Sequence, residues 1–214
     1  MTVFLQRACF AVIVRPLVLL AIGLNVRHRR RLPRHGPAIV VANHNSHLDT
    51  LVLMTLFPAV MLPRLRPVAA ADYFLQGRLV AWFSRAVMHI IPIERGRAHG
   101  NALAPVLKAL DEGDIVILFP EGTRGEPERL GEFRRGIAHL AAARDHLAVT
   151  PVFMHGLGKA LPRGSCLFVP FSCDVFVGEP IAAAAGRTDR HAFMNALSAS
   201  MRDLAAEGQF PPWH

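Results

Sequence analysis

The residues able to do chemistry in this chain gather in three places. The first is Asn43-His44-Asn45-Ser46-His47-Leu48-Asp49, which holds an imidazole and a carboxylate five positions apart. On one continuous helix that spacing would turn the two side chains about 140° apart. They meet only if His44 sits in a strand-to-helix turn and Asp49 in the first helical turn. Ser46 suits such a turn. As a cap it would put Asp49 at the third helical position, in capping-box spacing, where the helix dipole favours a carboxylate. An aspartate bonded to one imidazole nitrogen fixes the tautomer and leaves the other nitrogen basic. The plainer alternative is a capping aspartate beside an ordinary loop histidine. A metal held by His44 and His47 would lack a third ligand and the HExxH pattern, so no metal is expected.

The second place is Glu121-Gly122-Thr123-Arg124. An arginine with a hydroxyl and glycine amides makes a phosphate grip. Downstream, Arg134-Arg135-Gly136 would open a helix whose first amides add to an anion site. The alternative is a charge-compensated surface loop, because residues 121–135 hold four Glu and four Arg. The third place is Glu94-Arg95, where Arg95 is either another phosphate contact or an exposed partner of Glu94.

Each cluster follows an apolar run. AIVVAN (38–43), HIIPIER (89–95) and DIVILF (114–119) read as strands, as do RPVAAA (66–71), AVTPVFMHG (148–156) and CDVFVGEP (173–180). Pro92 argues for an edge or a strand end. Helical periodicity covers 48–57, 73–87, 99–113, 133–146 and 190–208, with Gly113 as a stop. Strands alternating with helices imply an α/β fold with a mostly parallel central sheet flanked by helices. In such sheets, sites collect at the carboxyl ends of the strands. There is no GxSxG elbow, no GxxxxGK[ST] loop and no GxGxxG after a strand. With no nucleophile in a recognisable context, a base acting directly on a bound alcohol is the favoured chemistry.

A chain of 214 residues, 52% apolar and 19% charged, is one domain's worth of folded protein. It has no uninterrupted apolar run of 18 residues, which excludes a polytopic membrane protein. Cys9, Cys166 and Cys173 form no CxxC pair, so neither a disulfide scaffold nor a zinc site is expected. The net charge of +8 sits almost wholly at one end, where seven arginines precede the first acidic residue, Asp49. That end is also the greasiest. Residues 8–26 are apolar apart from Arg15 and Asn25, and RHRRRLPRHG follows.

A spanning helix would bury Arg15, at a cost of about 2.5–3.5 kcal/mol. The better reading is a helix, or two pieces broken at Pro16, lying in the interface. Arg15 would then snorkel to the headgroups, with Arg27 to Arg34 on anionic lipid. A helix packed on the protein's own core is the alternative. The chain thus divides into residues 1–34, a basic helical membrane-association segment, and residues 35–214, the α/β domain. Arginines on this side favour the cytoplasmic face of the inner membrane, as a peripheral or monotopic protein. With one Tyr and two Trp, a base-stacking nucleic-acid binder is not expected.

Taken in order, Asn43-His44-(x)4-Asp49, Ile93-Glu94-Arg95, Phe119-Pro120-Glu121-Gly122-Thr123-Arg124 and Val149-Thr150-Pro151-Val152 resemble the lysophosphatidic acid (1-acylglycerol-3-phosphate) acyltransferases. The resemblance covers about residues 35–180. It implies that His44 is the general base and that Asp49 orients and polarises it. Glu121, Gly122 and Thr123 would help bind the acceptor, Arg124 and Arg95 its phosphate, and Pro151 would mark a fourth, structural motif. It further implies no metal or prosthetic group, an acyl-CoA or acyl carrier protein donor, a lysophospholipid acceptor and docking through the N-terminal segment. His89 and Pro92 stand where the family commonly has Gly and Phe. Relatives with similar motifs acylate glycerol-3-phosphate, lyso-ornithine lipid or other lysophospholipids, and a non-catalytic lipid-binding module would carry the same arm.

Overall fold

The run Ala38–Ala42 is buried at every position, on both faces of the strand it forms. Such a strand needs neighbours on both edges and cover on both faces, and the rest of the molecule supplies them. The computed structural model describes residues 2–46, 48–71, 77–94, 102–122, 130–144, 146–160 and 172–210. Its strands are β1 (Leu24–Arg27), β2 (Ala38–Ala42), β3 (Leu65–Ala70), β4 (Ile91–Ile93), β5 (Ile115–Leu118), β6 (Ala148–His155), β7 (Cys173–Val177) and β8 (Ile181–Ala182). The sheet order is β1-β7-β6-β2-β5-β3-β4, with β8 added to β6. All neighbouring pairs are parallel except β6 with β7 and β6 with β8. The mostly parallel sheet expected from the alternating pattern is therefore present, and Pro92 lies on an edge strand.

Two apolar layers sandwich this sheet. Val40 and Ala42 of β2 face a cluster with α3 (Asp49–Thr55) and the N-terminal helix. Ile39 and Val41 face the other way, toward α5 (Ala104–Asp111), α6 (Gly136–Ala142) and α9 (Arg190–Glu207). The described residues also form α4 (Arg78–Ala86), α7 (Leu157–Ala160) and α8 (Ala185–Thr188). Gly113 closes α5 at φ +78°, a conformation glycine takes freely.

The N-terminal helix runs as α1 (Thr2–Cys9), a π-helical turn (Phe10–Val14) and α2 (Arg15–Ala21). The π turn ends just ahead of Pro16, where the Arg15 N–H reaches the Phe10 carbonyl. A wider turn is a common answer to a proline that cannot continue the ladder. Gln6, Phe10, Val14, Val18 and Ile22 are buried against the sheet side of the core. Phe4, Val12, Ile13, Leu17, Leu19 and Leu20 face outward and are exposed.

Arg15 does not snorkel outward as the sequence suggested. Its Nη2 donates to the Phe57 carbonyl at 2.6 Å. Carbonyls in the stretch that follows α3 take donors from the N-terminal segment. Gln6 donates to Leu62 O, Arg7 to Val60 O and Arg29 to Leu56 O. Arg31 donates to Val177 O and pairs with Glu179, so part of the basic cluster is turned to the protein. Leu24–Arg27, read from sequence as the tail of the apolar stretch, is an edge strand parallel to β7. Residues 1–34 thus contribute a strand to the sheet of residues 35–214.

Candidate active site

Strands β2 and β5 are parallel neighbours, with Val41 opposite Leu118. The segments that leave their carboxyl ends, 43–49 and 119–122, therefore emerge side by side. The first carries His44 and Asp49, the second Phe119, Glu121 and Gly122.

His44 Nδ1 donates to Asp49 Oδ2 at 2.8 Å. The same oxygen accepts the backbone N–H of Asn45 at 2.7 Å and of Ser46 at 2.9 Å. The expected capping arrangement is only half realised. Helix α3 begins at Asp49 itself, after Leu48, and Ser46 Oγ accepts the Leu48 amide at 3.3 Å instead of capping the third helical residue. The carboxylate performs the reciprocal half by reaching back to the Ser46 amide. Asp49 is completely buried, and its Oδ1 has no hydrogen-bond partner among the described residues. Burial pushes its carboxyl above the ordinary value, while the hydrogen bond and charge of His44 and the amides of Ser46 and Asn45 pull it back.

The His44 ring stacks on Phe119, with centroids 4.3 Å apart and planes 24° from parallel. Its tautomer is thus held by Asp49 and its plane by an aromatic from the neighbouring strand end. Nε2 is left as the basic nitrogen, on a side chain about one-fifth exposed.

Glu121 lies beside this pair. It is buried, and neither carboxylate oxygen makes a hydrogen bond of regular geometry among the described residues, although the Gly131 and His44 amides lie close enough to act on it. Burial raises its carboxyl above the usual range; the Gly131 and His44 amides and the charge of His44 oppose that shift, and the charge of Asp49 adds to it. Gly122 takes φ +70°. A Cβ there would fall 2.4 Å from Arg134 Nε, and that Nε donates to Glu121 O at 3.2 Å. The Arg134 amide also donates to Pro120 O at 2.8 Å. Arg134, which the sequence reading placed at the opening of a helix, thus braces the 119–122 turn.

Of the candidate residues, His44, Asp49, Glu121 and Gly122 are brought together. Arg95, Thr123 and Arg124 lie outside the described residues, as does His47. Among the described residues, no three His, Cys, Asp or Glu side chains are grouped to hold a metal ion.

The sequence reading gave no role to Phe119 or Asn43. Asn43 Nδ2 donates to Met154 O at 2.8 Å and its Oδ1 accepts the Met154 amide at 2.7 Å. Its side chain so extends the β2–β6 ladder past the end of the strand. The available signal was its place: a carboxamide directly after a fully apolar strand, where a buried polar group must find partners.

The profile of the Acyltransferase family matches residues 23–155. The chain is 32% identical over 145 residues to the chloroplastic 1-acyl-sn-glycerol-3-phosphate acyltransferase of Arabidopsis thaliana, covering 66% of this chain and 38% of that protein. It is 31% identical over 124 residues to the lyso-ornithine lipid O-acyltransferase of Rhizobium meliloti, covering 58% of this chain and 40% of that protein. The chain thus spans about two-fifths of these curated relatives' length. The crystal structure of the 1-acyl-sn-glycerophosphate acyltransferase of Thermotoga maritima superposes with a TM-score of 0.78 at 20% identity, covering 99% of this chain and 81% of that one.

Proposed function

Because this chain belongs to the acyltransferase family, we propose that it is a membrane-surface O-acyltransferase that moves a fatty acyl group from a thioester to the free hydroxyl of a lysophospholipid. The observation that carries the reading is the His44 Nδ1–Asp49 Oδ2 contact of 2.8 Å at the carboxyl end of the central strand. The acceptor hydroxyl donates to His44 Nε2. Its oxygen attacks the thioester carbonyl carbon as Nε2 takes the proton, and the buried Asp49 carboxylate stabilises the imidazolium. The tetrahedral intermediate collapses, the C–S bond breaks, and the departing sulfur takes the proton back from Nε2. An ester and a free thiol result. A positioned base of this kind contributes about 10²–10⁴-fold.

The proposed acceptor is 1-acylglycerol-3-phosphate, giving phosphatidic acid, and the donor is acyl-CoA or acyl carrier protein. Glu121, Gly122 and Thr123 would bind the glycerol-phosphate part, and Arg124 and Arg95 its phosphate. Identity to the lyso-ornithine lipid enzyme, together with His89 and Pro92 ahead of Arg95, keeps lyso-ornithine lipid as the second acceptor to test. Residues 1–34 would dock the protein on the cytoplasmic face of the inner membrane, through contact with anionic lipid. The N-terminal helix is long and apolar enough to cross a bilayer. However, one face of it is buried in the core and its polar side chains are bonded to the 57–62 backbone. That supports a helix lying in the interface.

The test is thiol release in anionic vesicles from a long-chain acyl-CoA or acyl carrier protein, with lysophosphatidic acid, lyso-ornithine lipid and glycerol-3-phosphate as acceptors. Release should require lysophosphatidic acid and fall at least 100-fold in His44→Ala. Full activity in that variant overturns the base mechanism. No release with any pair overturns the enzyme reading in favour of a lipid-binding module.

A further inference from the structure

Outside the N-terminal helix, exposed large apolar side chains occur at only three described positions. These are Val60, 69% exposed, Leu79, 83%, and Trp82, 54%. Exposed apolar residues scattered singly are ordinary, but a contiguous patch is not. The elements that carry these three adjoin the helix. Helix α1 packs against both α4 and the short turn Leu62–Arg64, and the Val60 carbonyl accepts Arg7 of α1. Leu79 and Trp82 share the outer face of α4, three residues apart, while Phe83 packs inward on the core. Arg78 and Arg85 stand on the same short helix, also exposed.

We propose that the outer face of α4, with Leu79 and Trp82, together with Val60, is a second membrane contact that enters the bilayer interface beside the N-terminal helix. The proposal rests on the membrane-surface part of the function reading and names a part of the contact that lies within residues 35–214. The chemistry favours lipid over a protein partner. An amphipathic indole beside an aliphatic side chain suits the headgroup boundary. Arginines on the same helix suit anionic headgroups. A single helix lying in the interface could roll about its own axis. A second contact displaced sideways from it fixes the roll, and so fixes how the β2 and β5 strand ends are presented to a lipid acceptor.

The chain has two tryptophans, so the Trp213→Phe variant of the full chain reports Trp82 alone. Its emission is read with vesicles of phosphatidylcholine and phosphatidylglycerol, with and without bromine on the acyl chains. The expected result is a blue shift on adding vesicles and quenching by bromine placed near the headgroup end of the chain. In parallel, Leu79→Ser/Trp82→Ser should bind the same vesicles about tenfold more weakly, with an unchanged urea midpoint.

Co-flotation with vesicles while Trp82 stays unquenched overturns the second contact and leaves docking by the N-terminal helix. No co-flotation at all overturns this inference and the docking reading together. Thiol release in detergent micelles would still report on the chemistry separately. A Trp82 blue shift without lipid, coupled to dimer formation in sedimentation, assigns the face to a second copy of the chain and overturns the lipid proposal.

Discussion

Asn43 and Met154 are joined by a closed pair of hydrogen bonds, one donated by the Asn43 carboxamide and one accepted by it. This pair ties the turn that carries His44 to strand β6, one residue beyond the end of β2. The turn is thus part of the sheet, and the imidazole inherits the rigidity of a buried strand.

Asn43→Ala should therefore cost about 2 to 4 kcal/mol, because it leaves a buried amide and a buried carbonyl of Met154 short of partners. Urea unfolding should show a lower midpoint with an unchanged slope. The weaker Asn45 contact to the same carbonyl, at 3.4 Å, will not replace both bonds. Wild-type stability in Asn43→Ala would show that the ladder extension adds nothing.

Asp49→Asn separates charge from geometry. Its side-chain oxygen can still accept the His44 and backbone N–H groups, but it no longer stabilises an imidazolium. Turnover should fall about 10²-fold or more while the fold persists. The pH dependence of stability follows from the direction of the carboxyl shift. Asp49 is raised in the folded state, chiefly by burial. Its contribution to stability is present below the ordinary aspartate value of about 3.9 and is lost as pH rises through the folded value. The thermal midpoint of Asp49→Asn relative to wild type should therefore be higher at pH 7 than at pH 4. The opposite slope would mean that the hydrogen bonds outweigh desolvation.

Gly122→Ala meets two obstacles, a φ of +70° and the Arg134 side chain. The left-handed backbone alone costs about 1–2 kcal/mol, and the clash adds to it. On an Arg134→Ala background only the backbone part remains, so the two substitutions should be non-additive. Differential scanning calorimetry of the four proteins checks this; strict additivity would mean that Arg134 simply swings away. If the 119–122 turn binds the acceptor, the KM for lysophosphatidic acid should rise in Gly122→Ala before kcat falls.

His89→Gly should stabilise the protein. His89 takes φ +51° and its Nδ1 is buried with no partner among the described residues. Glycine removes both costs, a gain of about 1 kcal/mol. Burial, then the charge of Arg66, hold the His89 imidazole below its ordinary value, with Asp114 and nearby backbone opposing. A lowered histidine contributes stability that is full above its ordinary value of about 6.5 and is lost as pH falls through the folded value. The advantage of His89→Gly in thermal melts should thus be larger at pH 5 than at pH 8.

Much of this molecule was legible in the sequence because its signals are local. Apolar runs bounded by turn residues place β2, β5 and β6. Gly113 stops α5, and Pro92 puts β4 on an edge. The spacing of His44 and Asp49 already required a strand-to-helix turn between them. What escaped depended on partners far along the chain. β1 became a strand only because β7, about 150 residues later, offered an unpaired edge. Arg15 turned inward because the carbonyls after α3 needed donors, a demand invisible from residues 8–26 alone. Phe119 could be set against His44 only by the parallel register of β2 on β5. The sequence by itself determined the central strands, the longer helices and which polar groups follow strand ends, since those follow from side-chain period and backbone preference. Tertiary structure alone decided which of those groups meet, because burial and hydrogen-bond satisfaction are settled between segments, not within them.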